Sequence, residues 1–323
     1  MDTSLPQIPF PYLVDSTMMS AFDACEVKWL FEFGHHLSPL AINPDLHAGG
    51  AFSHAIEAVR RAYYKDKLRM DQALPVGIKA LVSFWGDFTP PEKNPKTCEA
   101  MIGALADYFR EYPPEEDLYR PHVLADGEPA VEFTFAIPTN ILHPETGDPI
   151  LYGGRSDMIA NYNDQWLCVM DEKTTKAFYG DWASIWGMRG QFMGYCYAGQ
   201  YYGYNTTRAV IRGIAILKTK YHHLQVVEEY AQWQIDRWWE TANLKITKMV
   251  EAWQANKWTH SYGDACGSYG GCTFLPLCTS HQPEDGFSNF QRRVWDPLKK
   301  DPTWPEGGPK YETLGTLEDL IKS

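Results

Sequence analysis

The sequence predicts a mixed α/β domain, and three observations carry that expectation. VEFTFAI at 131–137 alternates apolar and polar residues with the period of a strand, and RAVIRGIAIL at 208–217 is the dense apolar run of a sheet interior. Segments of helical periodicity precede, separate and follow them, at 48–68, within 71–120, from about 182 to 201 and at 228–257. The 323 residues, 44% of them hydrophobic, suffice for a sizeable core, and the expected organisation is one domain over 1–281 with a proline-rich tail over 282–323.

Residues 1–14, apolar and rich in proline, read as an extended arm. Ser16 or Ser20 can cap a helix through Phe22, Cys25, Trp29, Leu30 and Phe33 that stops at Gly34. Cys25 on that helix reads by itself as a core thiol. A second helix starts at Ala48, with Phe52, Ile56, Val59 and Tyr63 in one row and His54 off it; alone, such a histidine is a surface or satisfied core residue. Residues 71–120 read as further helices, closed by Pro113 and Pro114, an insertion that either walls a substrate channel or is simply structural.

In the strand at 131–137, Glu132 is either a neighbour of a metal or a hydrogen-bonded strand residue. After the loop HPETGDP, Asp157 is expected on a short strand following a Gly153–Arg155 turn. A turn at 161–165 then leads into a second strand, 166–170, that delivers Asp171 and Lys173 at one end of the hairpin. Lys176 follows in a loop, and Gln191 and Tyr195 share one face of the next helix because they are four residues apart. Lys218, Lys220, His222 and His223 read as a solvated strand end or a phosphate contact, and most tryptophan rings of the helix at 228–257 as core. A short helix is expected over 311–322.

Two carboxylates and a lysine meeting at one place suit a hard divalent cation, Mg2+ or Mn2+, with the ammonium activating a water or holding a phosphate. The net charge of −12 excludes a broad basic surface that grips nucleic acid by counterion release, but leaves room for a narrow groove lined by Arg155, Lys173, Lys176 and Arg189. No run reaches eighteen apolar residues, so no membrane span is expected, and the N-terminus does not read as a signal peptide. The expected location is intracellular, the cytoplasm. There is no GxxxxGK[ST] loop and hence no ATPase motor in this chain.

Seven cysteines without a secretory signal argue for thiols or metal ligands over disulfides. Cys266, Cys272 and Cys278 recur at intervals of six in CGSYGGCTFLPLC, whose glycines and proline let the backbone curl around a centre. Three thiolates need one more ligand for an iron-sulfur cluster or a structural zinc, and Cys25 is the candidate. Three unligated thiols are the alternative. Cys168 and Cys196 read as core.

Asp157, then Asp171-Glu172-Lys173, then Gln191 to Tyr195 resemble, in order and spacing, the PD-(D/E)xK nucleases in their RecB- and Cas4-like branch. The resemblance implies a restriction-endonuclease-like core in which Asp157, Asp171 and the Glu172 backbone carbonyl ligate Mg2+ or Mn2+, with His54 as a further ligand. It implies that Lys173 orients or deprotonates the attacking water and that Gln191 and Tyr195 position the nucleic-acid strand and the lysine. One cysteine ahead of the core and three behind it resemble the [4Fe-4S] site of Cas4-like and AddB-like nucleases, which ties the termini together. The interval between Cys266 and Cys272 is longer than that family's spacing, and Glu26 stands after Cys25 where proline is common. The implied activity is hydrolysis of DNA, by an exonuclease acting on single strands or ends alone or with a helicase, an annealing protein or CRISPR adaptation proteins. Two alternatives stay open: an iron-sulfur module that binds DNA ends without cutting, and a zinc-stabilised scaffold with no nucleic-acid role.

Overall fold

Strand alternation, two tight connections and one helical crossover build the central sheet. A computed structural model describes residues 8–218, 220–267, 271–280, 283–298 and 312–313. The elements in chain order are β1 (Leu13–Val14), α1 (Ser16–Ala24), α2 (Glu26–Trp29), β2 (Leu37–Pro39), α3 (Pro44–Arg60), α4 (Met70–Trp85), α5 (Cys98–Glu111), β3 (Tyr119–Pro121), β4 (Val131–Leu142), β5 (Pro149–Tyr162) and β6 (Trp166–Thr175). There follow α6 (Gly190–Tyr201), β7 (Thr206–Ile216), β8 (Tyr221–Glu229), α7 (Gln232–Ala255), α8 (Asp264–Gly267), α9 (Leu275–Thr279), β9 (Phe290–Arg292) and β10 (Glu312–Thr313).

The strands run in the order β1-β5-β6-β7-β8, with β3 and β4 also pairing β5. The pairs β5–β6 and β7–β8 are antiparallel, and β6–β7 is parallel through α6, so the sheet is mixed. This is the α/β class expected, a central mixed sheet flanked by helices.

The chain divides into two compact units. One comprises 43–135 and 155–239. Its core lies between the helices and β7: Phe52, Ile56 and Val59 of α3, Leu81 and Trp85 of α4, and Met101, Leu105 and Tyr108 of α5 pack with Ile214 and Ile216. The β5–β6 connection is a tight turn in which Asn163 and Asp164 both have positive φ, 44° and 59°, a geometry these two residue types tolerate and one that matches the twist of the flanking strands.

The other unit comprises 1–42, 136–154 and 240–323. Here β1 runs parallel to the first half of β5, pairing Leu13 with Leu151, and β2 pairs β9 antiparallel. Val27, Phe31, Leu37, Phe274, Leu277, Phe287 and Phe290 form its apolar cluster beside Cys25, Cys272 and Cys278.

Several expectations are corrected. Gly153 to Arg155 is no turn but the middle of one continuous strand, Pro149–Tyr162. The residues from 180 to 188 form turns, and the helix begins only at Gly190. The first helix is capped by Asp15, whose Oδ1 accepts from Met18 N at 2.7 Å, and it breaks at Cys25, extended at φ −172°, so Cys25 is the joint between α1 and α2. The second helix starts at Pro44, capped by Asn43. Strand β8 was not foreseen; its alternating burial is hidden by two adjacent histidines and a run of charges. Of the rings on α7, Trp253 is buried but Trp233 is 59% exposed. In the tail, β9 forms a strand, and the helix expected over 311–322 falls outside the described residues apart from Glu312 and Thr313 of β10. The first seven residues of the expected arm also lie outside them.

Candidate active site

Antiparallel pairing of β5 with β6 does the first part of the work. The register runs five residue pairs from the turn to Met158 against Met170, and Asp157 and Asp171 are the next residues along the two strands. The acids therefore sit in mid-strand rather than at the tip of the hairpin. Alternation places Asp171 and Lys173 on one face of β6 and Glu172 on the other.

Lys173 Nζ lies 2.5 Å from Asp171 Oδ2, and the Asp171 side chain is almost fully buried. Burial raises the Asp171 carboxyl above the ordinary carboxylate range; the Lys173 ammonium opposes that shift and the nearby charge of Asp157 adds to it. Burial acts to lower the Lys173 ammonium, but Asp171 and Asp157 outweigh it and hold the group above its ordinary value, charged at neutral pH. Asp157 Oδ2 accepts from the backbone N–H of Glu172 at 3.0 Å.

The opposite face of β6 is occupied by buried charge. Arg60 of α3 grips the Glu172 carboxylate at both oxygens, Nη2 to Oε1 at 2.5 Å and Nη1 to Oε2 at 3.0 Å. The Tyr108 hydroxyl of α5 donates to Glu172 Oε1 at 2.9 Å. Arg212 of β7 donates to Tyr108 at 3.3 Å and forks onto Asp117 at 2.7 and 2.8 Å, with its guanidinium 3.8 Å from the centre of the Tyr112 ring. Burial acts to raise the Glu172 carboxyl, yet Arg60 leads the interactions that bring it below its ordinary value.

The remaining residues singled out by sequence divide. Gln191 Nε2 donates to the Tyr195 hydroxyl at 2.8 Å on α6, and Tyr195 packs edge-on to Phe135. His54 lies on α3 with its ring against Phe84, centroids 4.6 Å apart. Glu132 adopts φ +57° and binds Arg155 Nε at 2.6 Å, the hydrogen-bonded reading of that residue. Lys176 is paired with Asp45 at 2.9 Å, so three of the four cations expected to line a groove, Arg155, Lys173 and Lys176, already face carboxylates. The Lys176 pair is half-exposed, and such a surface pair yields readily to a competing phosphate. His223, read as part of a solvated strand end, is instead turned onto Asp107 at 2.7 Å.

Sequence reasoning passed over Arg60, Tyr108, Arg212 and the buried Lys96, whose Nζ reaches Thr174 Oγ1 at 3.2 Å. A signal was present: Arg60 follows the apolar row of α3, and Arg212 interrupts an unbroken apolar strand. A charge among core positions must find a partner.

Beside Lys173, Gly213 of β7 keeps the sheet surface open. A Cβ there would lie 2.4 Å from Trp182 and 2.6 Å from Phe178, so only glycine lets these rings lie on the strand next to the lysine.

The donor set fits a hard cation. Asp157 and Asp171 bring two anionic groups together around a single ammonium, with Asp171 buried and resisting its own charge. Among the described residues, no group of three or more His, Cys, Asp or Glu is arranged to hold a metal ion. Magnesium commonly needs only one or two carboxylates, its other positions going to water and phosphate oxygens.

The cysteine region is built from short pieces. Cys25 joins α1 to α2, and its thiol points to Thr259 O at 3.8 Å. Gly271, at φ +103°, turns the chain so that Cys272 N donates to Cys266 O at 2.8 Å, and α9 carries Cys278. The Cys278 thiol is pushed up to about 11, by burial first and then by Cys25, Cys272 and Cys266, so those three thiols lie within electrostatic reach of Cys278. Four thiols are of the kind that suits a sulfur-bound metal, but as placed, among the described residues, they do not form a closed ligand group. Cys168 and Cys196 are fully buried, as expected.

Among the described residues no helix is long and apolar enough to cross a membrane. No family model matches this chain, and no curated protein matches it. Among solved structures it is similar to one named "putative exonuclease" from Eubacterium rectale, at 11% identity and a TM-score of 0.46, over 84% of this chain and 94% of that one. It is also similar to the protein SSO0001, at 12% identity and a TM-score of 0.30, over 71% of this chain and 84% of that one. Both scores lie below 0.5, and the functional reading therefore rests on this chain's own residues.

Proposed function

We propose that this protein is a metal-dependent DNA nuclease of the PD-(D/E)xK type in its RecB- and Cas4-like branch, acting as an exonuclease. The observation that carries the reading is the convergence of Asp157, Asp171 and Lys173 on adjacent strands, with Asp171 and Lys173 in contact and the Asp157 charge felt at Asp171. The order of the parts supports it: an acid on β5, D-x-K on β6 and Q-x-x-x-Y on α6.

In this mechanism Asp157 and Asp171 hold Mg2+ or Mn2+, with the Glu172 carbonyl and His54 completing the protein's share. The bound cation supplies positive charge to the scissile phosphate and its leaving oxygen. Glu172 N–H fixes the orientation of Asp157. Lys173, kept charged by its two acid neighbours, donates hydrogen bonds to the attacking water or a phosphate oxygen instead of acting as the base. Gln191 and Tyr195, linked to each other, face the nucleic-acid strand. Cys25, Cys266, Cys272 and Cys278 hold a [4Fe-4S] cluster, with zinc as the alternative. DNA ends or single strands are the substrate, and a helicase, an annealing protein or CRISPR adaptation proteins are the candidate partners.

End-labelled oligonucleotides incubated with Mg2+ or Mn2+ test the assignment. Asp171→Asn and Lys173→Ala should each lower the cleavage rate by about a hundredfold or more while leaving the melting temperature near wild type. Undiminished cleavage by either variant overturns the reading, and DNA binding without any product would favour an end-binding module.

A further inference from the structure

Glu172 stands between the two residues that meet the reaction, yet its side chain points away from them. We infer that Arg60, acting through Glu172, is a positioning residue for the divalent-cation site; this rests on the nuclease reading above. The carboxylate of Glu172 is held at both oxygens by Arg60 and again by Tyr108, while the backbone N–H of the same residue holds Asp157 at 3.0 Å. One residue is thus clamped on one face of the sheet and orients an acid on the other. Rotation of the strand at this point would move the N–H from Asp157 and swing Asp171, Lys173 and the Glu172 carbonyl together.

The clamp is complete. The Tyr108 hydroxyl gives its one proton to Glu172 and accepts from Arg60 at 3.1 Å and Arg212 at 3.3 Å, which uses its full capacity. Arg212 is in turn fixed by Asp117 and by Gln225, at 2.8 Å from Nε. Buried ion pairs of this kind generally stabilise no more than apolar residues of equal volume. What the Arg60 fork adds over an apolar contact is direction: a planar guanidinium fixes both oxygens of its carboxylate, and with them the strand that bears it. Arg60 also lies on α3, the helix that carries His54, so the same contact ties the helix bearing the extra ligand to the strand bearing the acids.

Manganese binding to the full chain without DNA, followed by electron paramagnetic resonance, tests this apart from activity. Arg60→Met and the near-isosteric Glu172→Gln should each weaken Mn2+ binding by roughly 10- to 100-fold, the range found when a partner behind a metal ligand is lost. Arg60→Lys should recover part of the loss. The double variant Arg60→Met/Glu172→Met should regain the wild-type melting temperature without regaining Mn2+ affinity, a separation that a merely structural role would not produce. Wild-type Mn2+ affinity in Glu172→Gln or in the double variant overturns the inference while leaving the nuclease reading standing. A wild-type chain that neither binds Mn2+ nor cuts DNA overturns both.

Discussion

The sheet residues around Asp171 and the segments around Cys278 each gather side chains of a kind that can bind a metal, and they are built in opposite ways. Asp157, Asp171 and Lys173 stand on long paired strands, with Glu172 between them locked by Arg60, Tyr108 and, one step further back, Arg212. The cysteines stand on a helix joint, a four-residue helix, a glycine turn and a five-residue helix, around a small apolar cluster. The first arrangement is held by its own hydrogen bonds. The second brings the Cys25, Cys266 and Cys272 thiols within electrostatic reach of Cys278. Under the proposed function the first would hold a dissociable cation and a moving substrate in a frame organised in advance, and the second would be shaped by what it binds.

That contrast can be broken most directly at the cysteines. If a bound metal links Cys25 to the C-terminal triplet, it closes a loop of some 240 residues, and losing the link should cost up to about 5 kcal/mol in the chain-entropy account. Cys272→Ser/Cys278→Ser should then melt far below wild type and lose visible absorbance near 400 nm, as read by calorimetry and by spectrum. An unchanged melting curve would show that the thiols staple nothing.

Acid sharpens the comparison next. Burial pushes His35 and His36, both in the unit that holds the cysteines, down to about 4. Groups lowered in this way bind protons more readily unfolded, so their contribution is full above the unfolded value of 6.5 and is lost as pH falls towards 4. Each can withdraw about 3 kcal/mol over that window. Asp15 opposes them: burial raises its carboxyl to about 6, and it costs stability as pH rises through that value. Urea midpoints measured from pH 7 to pH 4.5 should fall in the wild type and flatten in His35→Gln/His36→Gln. Equal slopes in the two proteins would contradict the assignment.

The smallest effect is expected in the sheet. Gly213→Ala forces a methyl against Trp182 and Phe178 and should cost about 1–3 kcal/mol. Because the displaced rings lie beside Lys173, cleavage should fall more than the loss of folded protein explains. A rate that follows the folded fraction alone would make Gly213 a packing residue only.

Legibility in the sequence followed the range of each interaction. The approach of Asp157, Asp171 and Lys173 to one another could be read because strand alternation and hairpin spacing are local, and a continuous β5 did not change it. The helix break at Cys25 was missed because it lies in the backbone, extended at φ −172° with Cys25 N bonded to Ala21 O, while the apolar row runs on past it. Strand β8 was missed because His222 with His223 and Glu228 with Glu229 put like residues on both faces, which masks a pattern made legible only by pairing with β7.

The sequence by itself determined the class of fold, since strand alternation and helical periodicity are read over a few residues, and it carries the order of the acids, the lysine and the cysteines on which the proposed function rests. Only the tertiary structure decided that Arg60 takes Glu172, that Arg212 takes Asp117 and that Arg155 takes Glu132. A buried cation announces that it needs an anion, but carboxylates along the chain are chemically alike. Which one answers depends on the packing that removes water from both.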